Sequence, residues 1–336
     1  MKNIKSISSI IIGALLSFPA HATSNEKLIF AIDFVRHGDR TPSCEIPISP
    51  HHWKEGLGEL TDKGKRQEIS LGKQLRKIYV YQHHLLPEMY TTGTVYARST
   101  GVPRTIASTE SILLGLYPTQ SRPSTDAEIP IHTVKVNDDG LLIANPGYNV
   151  FSLLSRYMTN YQTWKKINAT HQFELKDWSN KTGLPLTYPQ ELDCLADNLH
   201  ARIEHKIPLP NGISNAVANQ IIALSDTAIL NEFNHHSFPM GKAFLKTIND
   251  YMSDAIKSKN GLKYALFVGH DSSMMSVMHA LKISIKQTPE YASRLNFSLY
   301  EKDHSYYVKV TYDNKPVNVT SCKRNICTLD QFVAFT

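Results

Sequence analysis

Short apolar runs and amphipathic stretches alternate along the first and last thirds of the chain. Lys27 to Val35 is an apolar run bounded by polar residues, the pattern of a strand buried on both faces of a parallel sheet. After a polar loop, the segment from Thr61 to about Tyr79 turns helical, with Thr61 placed to cap and Leu71, Leu75 and Ile78 at i, i+4 and i+7. The same succession recurs twice. Thr94 to Ala97 is rich in β-formers, Arg98-Ser99-Thr100-Gly101 makes a polar turn, and Pro103 opens a helix carrying Ile106, Leu113 and Leu116 on one face. Tyr264 to Val268 is an apolar strand, Gly269-His270-Asp271 is its turn, and Met274, Met278 and Leu281 mark the next helix face. Open α/β sheets bind ligands just beyond the carboxyl ends of their strands, so these three polar junctions are expected to meet at one edge.

Between them, residues 134–260 carry Tyr, Trp, Asn and helix-like segments such as Gln190 to His205, with few strand runs. The expected fold class is α/β: a mostly parallel sheet flanked by helices, formed by residues 23–133 and 261–336, with a smaller helical cap, residues 134–260, inserted. Ser298 to Tyr312 alternates in β-rich fashion and is expected to return to the core as a hairpin.

Composition narrows the class. In 336 residues, 41% hydrophobic and 20% charged, there is ample material for a core and nothing of a disordered or fibrous chain. The formal charge of +6 is spread along the chain without a basic block or a nucleic-acid module, which argues against a nucleic-acid partner and suits an enzyme receiving anions. Met1 to Lys5 carry two lysines, an apolar run follows from Ile7 to Phe18, and Ala20-His21-Ala22 has the small-x-small cleavage pattern. Residues 1–22 therefore read as a signal peptide cleaved near Ala22, too short in its apolar run for stable membrane insertion, and the mature chain is expected in a periplasm or outside the cell. Four cysteines agree with an oxidising compartment. Cys322 and Cys327 can close a local loop, leaving Cys44 and Cys194 for a long one, although three pairings are compatible with the sequence.

The chemistry concentrates in Arg36-His37-Gly38-Asp39-Arg40-Thr41-Pro42, directly after the first strand. A phosphoryl group spreads negative charge over three oxygens that guanidinium forks can grip with bidentate hydrogen bonds. A histidine between two arginines supplies a neutral ring nitrogen, kept unprotonated by the neighbouring positive charge, for in-line attack. With His270-Asp271 late in the chain and Arg98 between the two, the sequence resembles the histidine acid phosphatase family, within branch 2 of the histidine phosphatase superfamily, over nearly the whole mature chain. The resemblance implies His37 as nucleophile, Asp271 as proton donor, and Arg36, Arg40, Arg98 and His270 as ligands of the phosphoryl group. It implies hydrolysis of small-molecule phosphomonoesters through a phosphohistidine, with no cofactor and no metal, fixed positive charge standing in for magnesium. The adjacent pairs His51-His52, His83-His84 and His235-His236 do not have the spacing that converges on a metal ion.

Arg104, inside the second helix, is expected to pair with a buried carboxylate, leaving Arg98 at the strand end for phosphate. Asp39 either touches substrate or orients Arg40. A phytase-like or phosphosugar-selective phosphatase of the same family, and a non-catalytic phosphate-binding protein, are the alternatives; a homodimer is left open.

Overall fold

The computed structural model describes residues 26–123, 128–144, 150–235, 239–257, 261–319, 322 and 326–336; side chains are described from residue 162 in the helix that begins at 150. The expected signal peptide lies outside the described residues. In chain order the elements are β1 (Lys27–Arg36), α1 (Asp62–Arg76), β2 (Val95–Thr100), α2 (Pro103–Leu116), β3 (Ile131–Val134), α3 (Val150–Thr182), α4 (Pro189–His205), α5 (Asn215–His235), α6 (Pro239–Lys257), β4 (Tyr264–Gly269), α7 (Asp271–Ala280), β5 (Arg294–Lys302), β6 (Ser305–Tyr312), β7 (Lys315–Pro316), β8 (Ile326–Thr328) and α8 (Leu329–Phe335).

The strands form one sheet in the order β3-β2-β4-β1-β5-β6-β7, with β8 also paired to β6. Its first half, β3, β2, β4 and β1, is parallel, and β5 and β6 continue it as the expected antiparallel hairpin. Strand β4 comes from far along the chain yet lies between β1 and β2, in register Arg36↔Gly269 on one side and Ser99↔Val268 on the other. That insertion brings all three polar junctions to one edge. The backbone closes it further, the His37 amide donating to the Gly269 carbonyl at 3.0 Å.

Apolar side chains cover both faces. On one, α1 and α2 pack Leu71, Leu75, Ile112 and Leu116 against Val35, Ala97 and Leu266. On the other, α6 and α7 bring Phe244, Ile248, Met274 and Met278 against Phe34, Phe267 and Phe297. Each fully buried side chain of this size contributes about 1.5–3 kcal/mol. Helix α1 starts where Thr61 caps it, its hydroxyl accepting from the Gly64 amide at 3.1 Å. The helix start then presses on the motif loop: a Cβ at Gly38 would sit 2.6 Å from the Gly64 carbonyl oxygen, so neither backbone has room for a side chain.

Helices α3 to α5 enclose a cluster of their own, with Trp164, Trp178, Leu195, Leu199 and Ile221 around Ile46 from the loop after the motif. Two disulfides are present, Cys44–Cys194 and Cys322–Cys327. The first joins the motif loop to α4, and the pair fits an oxidising, extracytoplasmic compartment. No helix among the described residues is long and apolar enough to cross a membrane.

Candidate active site

His37 leaves the end of β1 almost wholly buried, 2% exposed. Its Nδ1 lies 2.9 Å from the Gly38 carbonyl, which can only accept, so Nδ1 carries the proton and Nε2 keeps a free lone pair. Burial, then Arg104, Arg36, His270 and Arg40, hold its pKa well below that of an ordinary histidine. The loop itself is fixed by Ser108 of α2, whose hydroxyl accepts from the Gly38 amide at 3.1 Å.

The surrounding guanidinium groups are held from several directions. Arg36 donates to the Pro289 carbonyl, pairs with Asp271 at 2.6 Å and lies 4.2 Å from the Tyr291 ring centroid. Arg40 donates to Asp197 of α4 at 2.9 Å, and the same carboxylate accepts from the Ser43 amide and hydroxyl, so the cap side orients a core arginine. Arg104, in the first turn of α2, donates to the Gly58 carbonyl at 3.3 Å and lies 3.4 Å from His270 Nδ1. Burial and the charge of Arg40 push Arg104 down to about 10. The Nε atoms of Arg36, Arg40 and Arg104 are buried without a partner.

His270 stands at the N-cap of α7, its ring 5.5 Å from that of His37, with Nε2 3.2 Å from the Thr100 hydroxyl. Because Arg104 can only donate to Nδ1, the proton of His270 sits on Nε2 and points to Thr100. Burial and Arg104 push His270 down to about 3. Asp271 opens α7 and accepts from the Ser272 amide at 2.6 Å. Burial alone would raise its pKa, but Arg36, Arg40 and His270 outweigh burial and hold the carboxyl below the usual range.

Of the residues singled out in the sequence, His37, Arg36, Arg40, His270 and Asp271 come together here, and Arg98 does not. Its Nη2 is bound to Asp139 at 2.7 Å, a wholly buried carboxylate in the segment after β3. The structure thus sets Arg104 beside His270 and Arg98 against a buried carboxylate, the partner expected of Arg104. Arg98 lies two residues before the end of β2, below the rim, where Asp139 captures it. Arg104 is carried back over the strand ends by the first turn of α2. Asp39 reaches neither the cluster's centre nor Arg40: it accepts from Thr61 and from His205 Nε2 at 2.8 Å, tying the motif to the end of α4. Asp197, Tyr291 and Ser108 lie outside the three polar junctions in sequence and join the site only through folding. Arg104, expected from the sequence to pair with a buried carboxylate, directly follows Pro103 in the first turn of α2.

The cluster opens into a cavity of about 460 Å³ between the strand ends and helices α4 and α5. A broader groove of about 610 Å³ runs beside α1 and shares Tyr291 with it, but touches none of Arg36, Arg40 and Arg104.

The model of the histidine phosphatase superfamily (branch 2) matches residues 27–208. Among characterised relatives, lysosomal acid phosphatase of Xenopus laevis is 29% identical, over 96% of this chain and 79% of its own. Testicular acid phosphatase of Homo sapiens is 32% identical, over 84% of this chain and 70% of its own. In fold the chain is similar to the phytase of Citrobacter braakii, with a TM-score of 0.70 at 15% identity over 92% of this chain and 97% of that one. A Hafnia alvei phytase in complex with myo-inositol hexakis sulphate superposes with a TM-score of 0.67 at 17% identity, over 94% and 97% of the two chains. With the motif, the site and the match over more than half its length in agreement, the chain belongs to branch 2 of the histidine phosphatase superfamily.

Proposed function

We propose that the protein is an extracytoplasmic acid phosphatase that cleaves phosphomonoesters through a phosphohistidine on His37. The observation that carries this reading is the fixed tautomer of a buried, neutral His37 among three guanidinium groups whose Nε atoms lack partners. In the first half-reaction the Nε2 lone pair attacks phosphorus and the ester P–O bond breaks. The proton of Asp271 passes to the leaving oxygen. Arg36, Arg40 and Arg104 neutralise the charge on the equatorial oxygens, with Asp197 and Tyr291 holding two of them in place. In the second, water attacks phosphorus, Asp271 takes its proton, and the N–P bond breaks to return neutral His37 and inorganic phosphate. The work done by fixed charge here is what magnesium supplies elsewhere.

Acid operation follows from the electrostatics. Paired with Arg36, Asp271 is held ionised, and a phosphate dianion on the arginines would cancel their hold and lift the carboxyl toward protonation. The N-terminal pattern and the two disulfides support export with cleavage near Ala22.

The test is hydrolysis of an aryl phosphate from pH 3 to 9 with chelator present, joined to rapid quenching into alkali, where a phosphoramidate survives. Acid-favoured activity with phosphate trapped on His37, and Asp271→Ala impaired most on poor leaving groups, supports the assignment. Undiminished turnover in His37→Ala overturns it.

A further inference from the structure

We propose that the leaving-group half of this cavity selects a phosphomonoester whose alcohol carries an ammonium charge, and disfavours one that carries further phosphates. The inference rests on the phosphatase reading above and concerns which ester fills the same site. The phosphate end is marked by Arg36 and Arg40, which line the cavity and whose buried Nε atoms lack a partner, an excess of donors that an anion would satisfy.

Away from that end the sign of the charge reverses. Asp193 and Asp197 from α4, Asp226 from α5 and Glu290 from the segment before β5 all line the cavity. Among the described residues, the only arginines or lysines in its lining are Arg36 and Arg40. Both already hold carboxylates, Asp271 and Asp197. Asp193 and Asp226 accept from hydroxyl groups, Ser225 at 3.4 Å and Thr288 at 3.3 Å. The surroundings already strain their charge: loss of solvent, then Asp197 and Asp271, push Asp193 up to about 6. An ammonium group between α4 and α5 would relieve this repulsion, and a second phosphate there would add to it. Ile143, Ile222, Ile229, Phe233 and Met275 supply apolar wall for the carbon around the cation. A cavity of about 460 Å³ takes a small amino-alcohol phosphate comfortably.

The experiment compares phosphocholine with 3,3-dimethylbutyl phosphate, equal in shape with carbon in place of the charged nitrogen, at pH 6.5 and low ionic strength. Inositol hexakisphosphate and p-nitrophenyl phosphate complete the set. The expected kcat/KM for phosphocholine exceeds that of its neutral counterpart by about tenfold, as a partly screened charge pair at contact distance would give. That ratio should shrink toward one in the Asp193→Asn, Asp226→Asn double variant, with inositol hexakisphosphate the poorest substrate of wild type. If the double variant does not fold, the fall of the ratio with added salt in wild type carries the same information. A ratio near one in wild type, or inositol hexakisphosphate preferred, overturns the proposal while p-nitrophenyl phosphate is still cleaved. Failure to cleave p-nitrophenyl phosphate overturns the phosphatase reading instead.

Discussion

Two clusters of buried charge sit on the same sheet, and they are built on opposite plans. Around Asp33, in the middle of β1, every neighbour is a partner: Tyr79 donates at 2.8 Å, Tyr264 at 3.0 Å, Arg294 at 3.0 Å and Asn296 at 2.9 Å. None of these side chains leaves a buried polar atom unmatched. Around His37, four residues beyond Asp33, cations crowd one another, two histidines are driven below their ordinary pKa, and three guanidinium Nε atoms lack partners. Burial alone does not separate the two, since Asp33 and His37 are both almost wholly buried. What separates them is that the first cluster balances its charge within the protein and the second needs an anion to do so. The Arg98–Asp139 pair lies between these cases, joined at 2.7 Å yet with Arg98 Nε and Asp139 Oδ2 unmatched.

The contrast can be broken by substitution. The largest effect is expected at His37: His37→Ala should lower kcat on an aryl phosphate by about 10⁴-fold or more, as removal of a covalent nucleophile does, with the thermal midpoint unchanged or raised. At Asp33 the outcome should invert. Asp33→Asn strands Arg294 in the core and should cost about 3–5 kcal/mol in denaturant unfolding, with kcat per folded molecule retained. A thermal midpoint that falls with His37→Ala, or an Asp33→Asn enzyme folded as stably as wild type, would erase the distinction.

The two arginines of the β2–α2 junction sharpen it. Arg104→Ala should lose about 10²–10³-fold in kcat/KM, the scale of removing one donor to a transition-state charge, and Arg98→Ala should lose stability first because it leaves the buried Asp139 without its cation. Comparable activity losses in both, with equal stabilities, would return Arg98 to the phosphate site.

The smallest effect is in pH. His270, near 6.5 when unfolded, is pushed down to about 3 in the fold, and His37 moves in the same direction. The unfolded chain therefore binds protons that the folded chain refuses, so stability is full above about pH 6.5 and falls as pH drops below it. Inorganic phosphate should flatten this fall, because an anion among the arginines lets the imidazoles charge. A thermal midpoint indifferent to acid in that window, without phosphate, would show that the histidines are not held neutral.

Much of the site was legible in the chain. The strand, loop and helix at the motif, the cap at Thr61 and the His270-Asp271 turn are local patterns, written in spacing and in the residue types that phosphoryl transfer requires. The pairing of Cys322 with Cys327 was likewise a matter of short separation. Other features join residues far apart. The single insertion drawn over residues 134–260 has a helical texture throughout, yet α6 lays Phe244 and Ile248 on the sheet with β1 and β4, and α3 to α5 close on a separate cluster.

The sequence by itself determined the Arg36–Arg40 motif, the His270-Asp271 turn and the α/β frame that carries them, because motif spacing and hydrophobic period are properties of neighbours along the chain. Only the tertiary structure decided which arginine faces His270, that Asp197 orients Arg40, and that carboxylates line the leaving-group side. Those depend on where a side chain meets partners 41, 157 or more residues away, and a buried charge goes to whichever partner the packing brings within reach.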